Sequence, residues 1–270
     1  MISPERVSVN QFMVPQLGLD ELCRACRDHG VSGLGVLRST LDELGPAKIG
    51  HILADHGLTP TSVCVVLGLT AADPDERRSL FASALAVLNA AAELGVPTVI
   101  VAGGPGPGLP LRSATHQAVD AIAALDGHAH RIGARILLEP VHPMMVGQSV
   151  LTSFRQAAEL AETLSATGVV LDTWHVWSEF DLDESIGRHS GVLDVVHLAD
   201  WQAGTEPSLD RALPGDGIAD LAALCGRIKE AAGDREPWWE IEVLSEELNR
   251  RYRPLDLLAL SIQETMRCVS

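Results

Sequence analysis

Positive charge is scarce in this chain of 270 residues. Lys48 and Lys229 are its only lysines, and 36 acidic residues against 20 basic ones leave a formal charge of −16. Nucleic-acid binding relies on Lys and Arg to neutralise phosphates, and no cluster of them occurs, so no nucleic-acid partner is expected. Long apolar runs are also missing. None approaches the roughly 18 residues that cross a bilayer, so no membrane partner is expected. The residues up to Arg6 hold no basic stretch followed by an apolar one, so no secretory signal is read there and a cytoplasmic location is expected. Cysteines are few and odd in number, at 23, 26, 64, 225 and 268, which suits reduced thiols better than a disulfide framework. Cys23 and Cys26 form a CxxC, yet they lie in an apolar helical pattern with no second pair, so they read as packed thiols. No GxGxxG follows the first strand, which weakens a dinucleotide-binding reading. The glycines and prolines at 103–108 lack a P-loop lysine, and proline removes backbone donors; they read as an ordinary loop.

What the chain does have is a steady alternation of β-rich runs and helix-period segments. With 46% hydrophobic and 21% charged residues it has the balance of a globular protein with an ample core. Strands are predicted at 7–13, 32–38, 60–69, 98–102, 135–139, 168–172, 192–197 and 239–244. Helices are predicted at 19–29, 41–56, 74–94, 113–131, 149–165, 182–188, 220–232 and 254–267, from apolar spacing and from closing glycines such as Gly30, Gly57, Gly95 and Gly133. Alternation of this kind implies a parallel sheet with crossover helices. Eight units in this length match a single (β/α)8 TIM barrel over residues 1–270.

Active sites of such barrels lie at the C-terminal strand ends, so the ionisable residues there carry the argument. The fifth predicted strand ends in Glu139, the sixth in Asp172 and the seventh in His197, and the eighth carries Glu240 and Glu242. One carboxylate at a strand end is most often a solvated loop residue or a helix cap. Four consecutive strands ending in metal-competent residues, each preceded by apolar ones, point to a bound cation. Three carboxylates and an imidazole form a hard, mostly oxygen set that favours Mn²⁺, with Mg²⁺, Co²⁺ or Zn²⁺ compatible. Glu240 and Glu242 face the same way, two residues apart. Glu242 is nearer the strand end and is taken as the ligand; Glu240 is left as a barrel-interior group, paired with an arginine.

These residues sit in longer matching pieces: Leu138-Glu139-Pro140-Val141-His142-Pro143-Met144, Leu171-Asp172-Thr173-Trp174-His175-Val176-Trp177, His197-Leu198-Ala199-Asp200-Trp201, 210–217 and Glu240-Ile241-Glu242-Val243. In them the chain resembles the sugar phosphate isomerase/epimerase family, the xylose isomerase-like TIM barrels, and most closely the inosose isomerase and ketohexose 3-epimerase branch. The resemblance implies that Glu139, Asp172, His197 and Glu242 hold the metal and that Glu139 and Glu242 move protons. It also implies that His175 and Arg211 bind substrate. The endonuclease branch fits less well, since the ends of the third and fourth strands carry no ligand. Nor do the two-metal isomerases fit, because Val141 stands where they place a lysine. His142 either lines the pocket or makes the turn before Pro143. Trp174, with Trp177 and Trp201, either stacks on a sugar or packs in a subunit contact, which leaves a homo-oligomer open. The expected activity is metal-dependent isomerisation or epimerisation of a small polyhydroxylated substrate through an enediolate. The alternative is a lyase, either a dehydratase or an enzyme that cleaves C-glycosides of keto-sugars by β-elimination.

Overall fold

The computed structural model describes residues 2–203 and 210–269. Eight parallel strands close into a barrel in chain order: β1 (Val7–Asn10), β2 (Gly33–Leu37), β3 (Thr59–Leu67), β4 (Thr98–Val101), β5 (Ile136–Leu138), β6 (Thr167–Asp172), β7 (Leu193–Leu198) and β8 (Trp238–Ile241). Closure is made by β8 against β1, with Ser8 opposite Glu240. Around them run α1 (Leu19–Asp28), α2 (Arg38–Leu44), α3 (Pro46–Asp55), α4 (Pro74–Leu94), α5 (Leu111–Ile132) and α6 (Phe154–Glu162). The second half adds α7 (Thr173–Val176), α8 (Leu182–His189), α9 (Leu221–Ala232), α10 (Glu246–Arg251) and α11 (Pro254–Val269). The (β/α)8 barrel read from the alternation is the observed fold.

Several element boundaries differ from the sequence expectation, each for a local reason. The helix expected over 41–56 is two helices, because Gly45 turns the chain at φ 74° and Pro46 opens α3. Strand β1 stops at Asn10, whose side chain accepts from Phe12 N at 3.0 Å and caps a 3₁₀ turn, Gln11–Met13. The helix expected from 149 starts only at Phe154, where Ser153 caps it. The stretch before it is held by the neighbouring loops, through Val150 N to Gly103 O and Val141 N to Leu151 O. Strand β8 ends at Ile241, so Glu242 stands just past it. Cys23 and Cys26 are fully buried in α1 as free thiols, and burial raises both to about 12.

The two-residue period of a strand sorts every side chain either outward to the helices or inward to the barrel axis. Val169 and Leu171, Val196 and Leu198, and Trp239 and Ile241 belong to the main core between strands and helices. The inward residues Cys64, Val99, Leu137, Val170 and Val195 form a separate apolar cluster, with Trp238 against it. The remaining interior is polar: Ser8, Asn10, Thr61, Ser62 and Glu240 are buried there. Opposite them β2 turns glycines inward. A Cβ on Gly33 would lie 2.7 Å from Thr61 and 2.9 Å from Trp238, and one on Gly35 would lie 2.3 Å from Glu240 Oε1. The space β2 leaves empty is the space β8 fills.

Two outcomes are expected. Gly35→Ala overpacks a site with no slack and should destabilise by about 1–3 kcal/mol, read as a lower urea midpoint at unchanged slope. Glu179 accepts from Phe154 N at 2.8 Å, starting α6, while its Oε2 is buried without a hydrogen-bond partner. Burial raises its carboxyl from 4.5 to about 7, so the folded chain holds this proton more tightly than the unfolded one. Stability therefore falls as pH rises across that window. Glu179→Gln keeps the acceptor and should gain on wild type over the same window, by up to about 3 kcal/mol. Urea melts of the two proteins that stay parallel from pH 4.5 to 8 would refute this.

Candidate metal centre and active site

Above the apolar plug the same inward period continues. Leu137 leads to Glu139, Val170 to Asp172, Val195 to His197 and Glu240 to Glu242, so four successive strands set their next inward residue in one layer. Oxygen or nitrogen atoms of Glu139, Asp172, His197 and Glu242 all lie within 4.8 Å of one another, and all four residues are buried. His197 Nδ1 is 3.0 Å from Glu139 Oε1 and 3.4 Å from Glu242 Oε2. Asp172 Oδ1 accepts from Trp174 N at 2.8 Å, capping α7. Its Oδ2 is buried and completes no hydrogen bond, although Arg211 Nη1 approaches it to 2.8 Å off the hydrogen-bonding direction. A ring of hard oxygens plus one imidazole, with a buried carboxylate oxygen left over, is a donor set that fits a divalent cation.

Arg211 joins this ring from a loop. Its Nη1 donates to Glu242 Oε2 at 2.7 Å and to the Glu242 carbonyl at 3.0 Å, and its own backbone N donates to Leu244 O. Asp200 holds that loop in place by accepting from the backbone N–H groups of Trp201, Gly215 and Ala219. The two candidate proton-moving carboxylates differ electrically. Burial raises the Glu139 carboxyl, against the hydrogen bond from His197. Burial raises Glu242 too, but His197 and Arg211 outweigh it and hold it at about 2. His197 is pulled down by burial and held well above its ordinary value by Glu242 and its hydrogen-bonding neighbours.

His175 lies at the edge of the ring, with Nε2 3.8 Å from Asp172 Oδ2. Its Nδ1 accepts from the backbone N of His142 at 3.0 Å, so Nε2 carries the proton. Burial lowers its pKa to about 4, which keeps it a neutral donor at physiological pH. His142 itself accepts from Met144 N and packs against Trp201 with the rings tilted by 36° and 5.1 Å between centroids. Its side chain makes the turn before Pro143, while its backbone orients His175. The arginine partner that the sequence reading gives Glu240 is not found among the described residues. Glu240 meets His197 and a set of hydroxyl and amide donors, namely Ser8, Asn10, Thr61 and Ser62.

The profile of the xylose isomerase-like TIM barrel family matches residues 23–254. The chain belongs to that family. Protein SMc04130 from Sinorhizobium meliloti 1021 is 30% identical, with 99% of this chain and 100% of that one covered and a TM-score of 0.90. An IolI protein solved with a bound zinc atom is 20% identical over 98% of each chain at a TM-score of 0.82. YcjR from E. coli, a 3-keto-D-glucoside 4-epimerase, is 19% identical over 96% of this chain and 99% of its own, at 0.75. No curated protein matches the chain significantly.

In this xylose isomerase-like barrel Glu139 and Glu242 of the ring, with Arg211, face a cavity of about 950 Å³. Its walls are largely apolar, from Phe12, Leu67, Val101, Met145 and Leu244, and Trp174 and His175 reach it from α7. Trp174 is covered by Trp201, stacked at 4.8 Å, and by the Arg211 guanidinium, 5.4 Å from its ring. Two further carboxylates, Asp210 and Glu246, line the cavity, and among the described lining residues Arg211 carries the one guanidinium. Arg38 donates instead to Ser83. Cys64 also reaches the cavity; nothing in its local sequence marks it, because its approach to His197 depends on strands far apart in the chain.

Removing Arg211 should leave two buried carboxylates without their cation. Arg211→Met is expected to cost about 3–5 kcal/mol in the metal-free protein, and millimolar Mn²⁺ should recover part of it. Denaturant melts with and without EDTA measure both, and equal losses in the two conditions would disprove the shared-charge account.

Proposed function

We infer that this chain is a divalent-metal-dependent isomerase or epimerase acting on a neutral polyhydroxylated ketone, a sugar or a cyclitol. The observation that carries this is the pair Glu139 and Glu242, both reaching His197 Nδ1 from different strands inside the ligand ring. Glu139, Asp172, His197 and Glu242 would hold a divalent cation, which would supply Lewis-acid polarisation of a substrate carbonyl. Glu139 and Glu242 then do the proton work. One carboxylate takes the proton from the carbon beside the carbonyl, and the electron pair moves onto the carbonyl oxygen as the enediolate forms. The second carboxylate returns a proton to the opposite face of that carbon, giving the epimer. Return of the first proton to the former carbonyl carbon, with the neighbouring hydroxyl proton passing to the enediolate oxygen, gives the aldose–ketose isomer instead. His175 Nε2–H supplies a neutral donor to a substrate oxygen, and Arg211 balances the charge of Glu242 and Asp172.

The ligand chemistry favours Mn²⁺, with Mg²⁺, Co²⁺ and Zn²⁺ compatible through the same donors. The IolI protein solved with zinc supports a divalent ion, and the YcjR epimerase supports this class of reaction. The cavity argues for an uncharged substrate, because among the described lining residues the carboxylates outnumber the guanidinium of Arg211, and that group is engaged with Glu242 and Asp172.

Incubation of Mn²⁺-loaded protein in deuterated water with ketohexoses and inososes tests the reaction. Deuterium should enter beside the carbonyl with no leaving group lost. Loss of water or of an aglycone would shift the assignment to a lyase, and no exchange on any of these ketones would rule the reading out. Glu139→Gln and Glu242→Gln should each lower turnover roughly 10²–10⁴-fold, and EDTA should abolish it reversibly.

A further inference from the structure

On β8 the inward residue after Trp238, which packs against the Leu137, Val170 and Val195 cluster, is a carboxylate, Glu240, opposite His197 in the ladder. Glu240 is fully buried, and burying a charge without compensation is costly. The interior is shaped around it. Asn10 Nδ2 at 2.8 Å and Ser62 Oγ at 3.3 Å donate to Oε1, while Ser8 Oγ at 3.1 Å and Thr61 Oγ1 at 2.5 Å donate to Oε2. Gly35 withholds a side chain that would collide with it. None of these partners is a cation, so the carboxylate is solvated by the barrel and left with capacity on Oε1, the oxygen that faces His197.

His197 presents its two ring nitrogens to opposite sides. Nδ1 points up at Glu139 and Glu242. Nε2 points down, is buried, and completes no hydrogen bond, and Glu240 Oε1 lies 3.4 Å from it. A ligating imidazole needs a bare lone pair on the nitrogen that faces the metal, which puts the proton on the other one. Cys64 is the alternative group near Nε2, but it is a thiol that already receives Asn10 Nδ2 at 3.2 Å and is a weak acceptor. We propose that Glu240 is a positioning residue: it accepts the Nε2 proton of His197 from beneath and so turns the Nδ1 lone pair into the ring formed with Glu139, Asp172 and Glu242. The proposal rests on the metal-centre reading above. Cys64, His197 and Glu240 are close enough to hold an ion themselves, but Glu240 already accepts from four side chains, which suits a hydrogen-bond acceptor better than a ligand.

The test is metal binding, not turnover. Mn²⁺ titrated into apo wild type and apo Glu240→Gln by calorimetry should give one ion per chain in both, with affinity about 10–100-fold weaker in the variant. Glu240→Leu, if it folds, should be weaker still. The ¹⁵N shifts of His197 in the Zn²⁺-loaded wild type give a readout that needs no variant, and they should show Nε2 protonated and Nδ1 ligated. Equal affinities in wild type and Glu240→Gln, or a proton on Nδ1 in the loaded protein, would overturn the proposal alone. So would two ions per chain with the second lost in Cys64→Ser, which would make Glu240 a ligand. A wild type that takes up no cation would overturn the metal-centre reading and this proposal together.

Discussion

Buried negative charge is the constraint around which this barrel is arranged. Glu139, Asp172, Glu240 and Glu242 are all withdrawn from water in the barrel interior, and the cationic groups that meet them among the described residues are His197 and Arg211, with neutral His175 at the edge. Burying a carboxylate still costs several kcal/mol after the protein relaxes, so each one requires an answer from the surrounding chain. Asp172 is met by the N-terminus of α7 and by Arg211, Glu242 by Arg211 and His197, and Glu240 by side chains of β1 and β3. Glu139 is met, among the described side chains, by His197. The shortfall is concentrated at the ring, which is where a divalent cation would close it.

This arrangement explains why the functional groups sit on strands and the adjustable ones on loops. The four ring residues lie on the last strand positions or one residue beyond, where ladder pairing fixes the backbone. Arg211 comes from a loop that is itself tied down by Asp200 and by a bridge to Leu244. Geometry that must be exact to fractions of an ångström is entrusted to the sheet. The counter-charge, which tolerates more latitude, is delivered from outside it.

The ring was legible in sequence because its signal is local: an apolar run ending in Glu139, another in Asp172, another in His197. The eight-fold alternation was legible for the same reason. What sequence left open depended on contacts between distant strands. Glu240 looked like half of an ion pair with an arginine, because a buried carboxylate ordinarily needs a cation, and no one-dimensional pattern joins it to Ser8, Asn10, Thr61 and Ser62. The alternation of Ser8 and Asn10 in β1 was the available hint, since polar residues at inward positions of a buried strand require a partner. His142 shows another case, where sequence leaves open a pocket group or a turn, and the side chain caps the turn while its own backbone N–H holds His175. The break at Gly45-Pro46 was written plainly in the chain but masked by continuous apolar spacing on either side.

The inward glycines of β2 carry a consequence for how this interior can change over time. Gly33 and Gly35 lend their volume to Trp238 and Glu240 across the barrel, so the two strands share one allotment of space. Drift at either strand is admissible only when the other drifts with it, and a descendant that enlarges β2 has to shrink β8 in the same lineage. Laboratory evolution that randomises one strand at a time would find this region frozen, whereas joint randomisation of 33 with 8, 61 and 238, and of 35 with 240, would find it open.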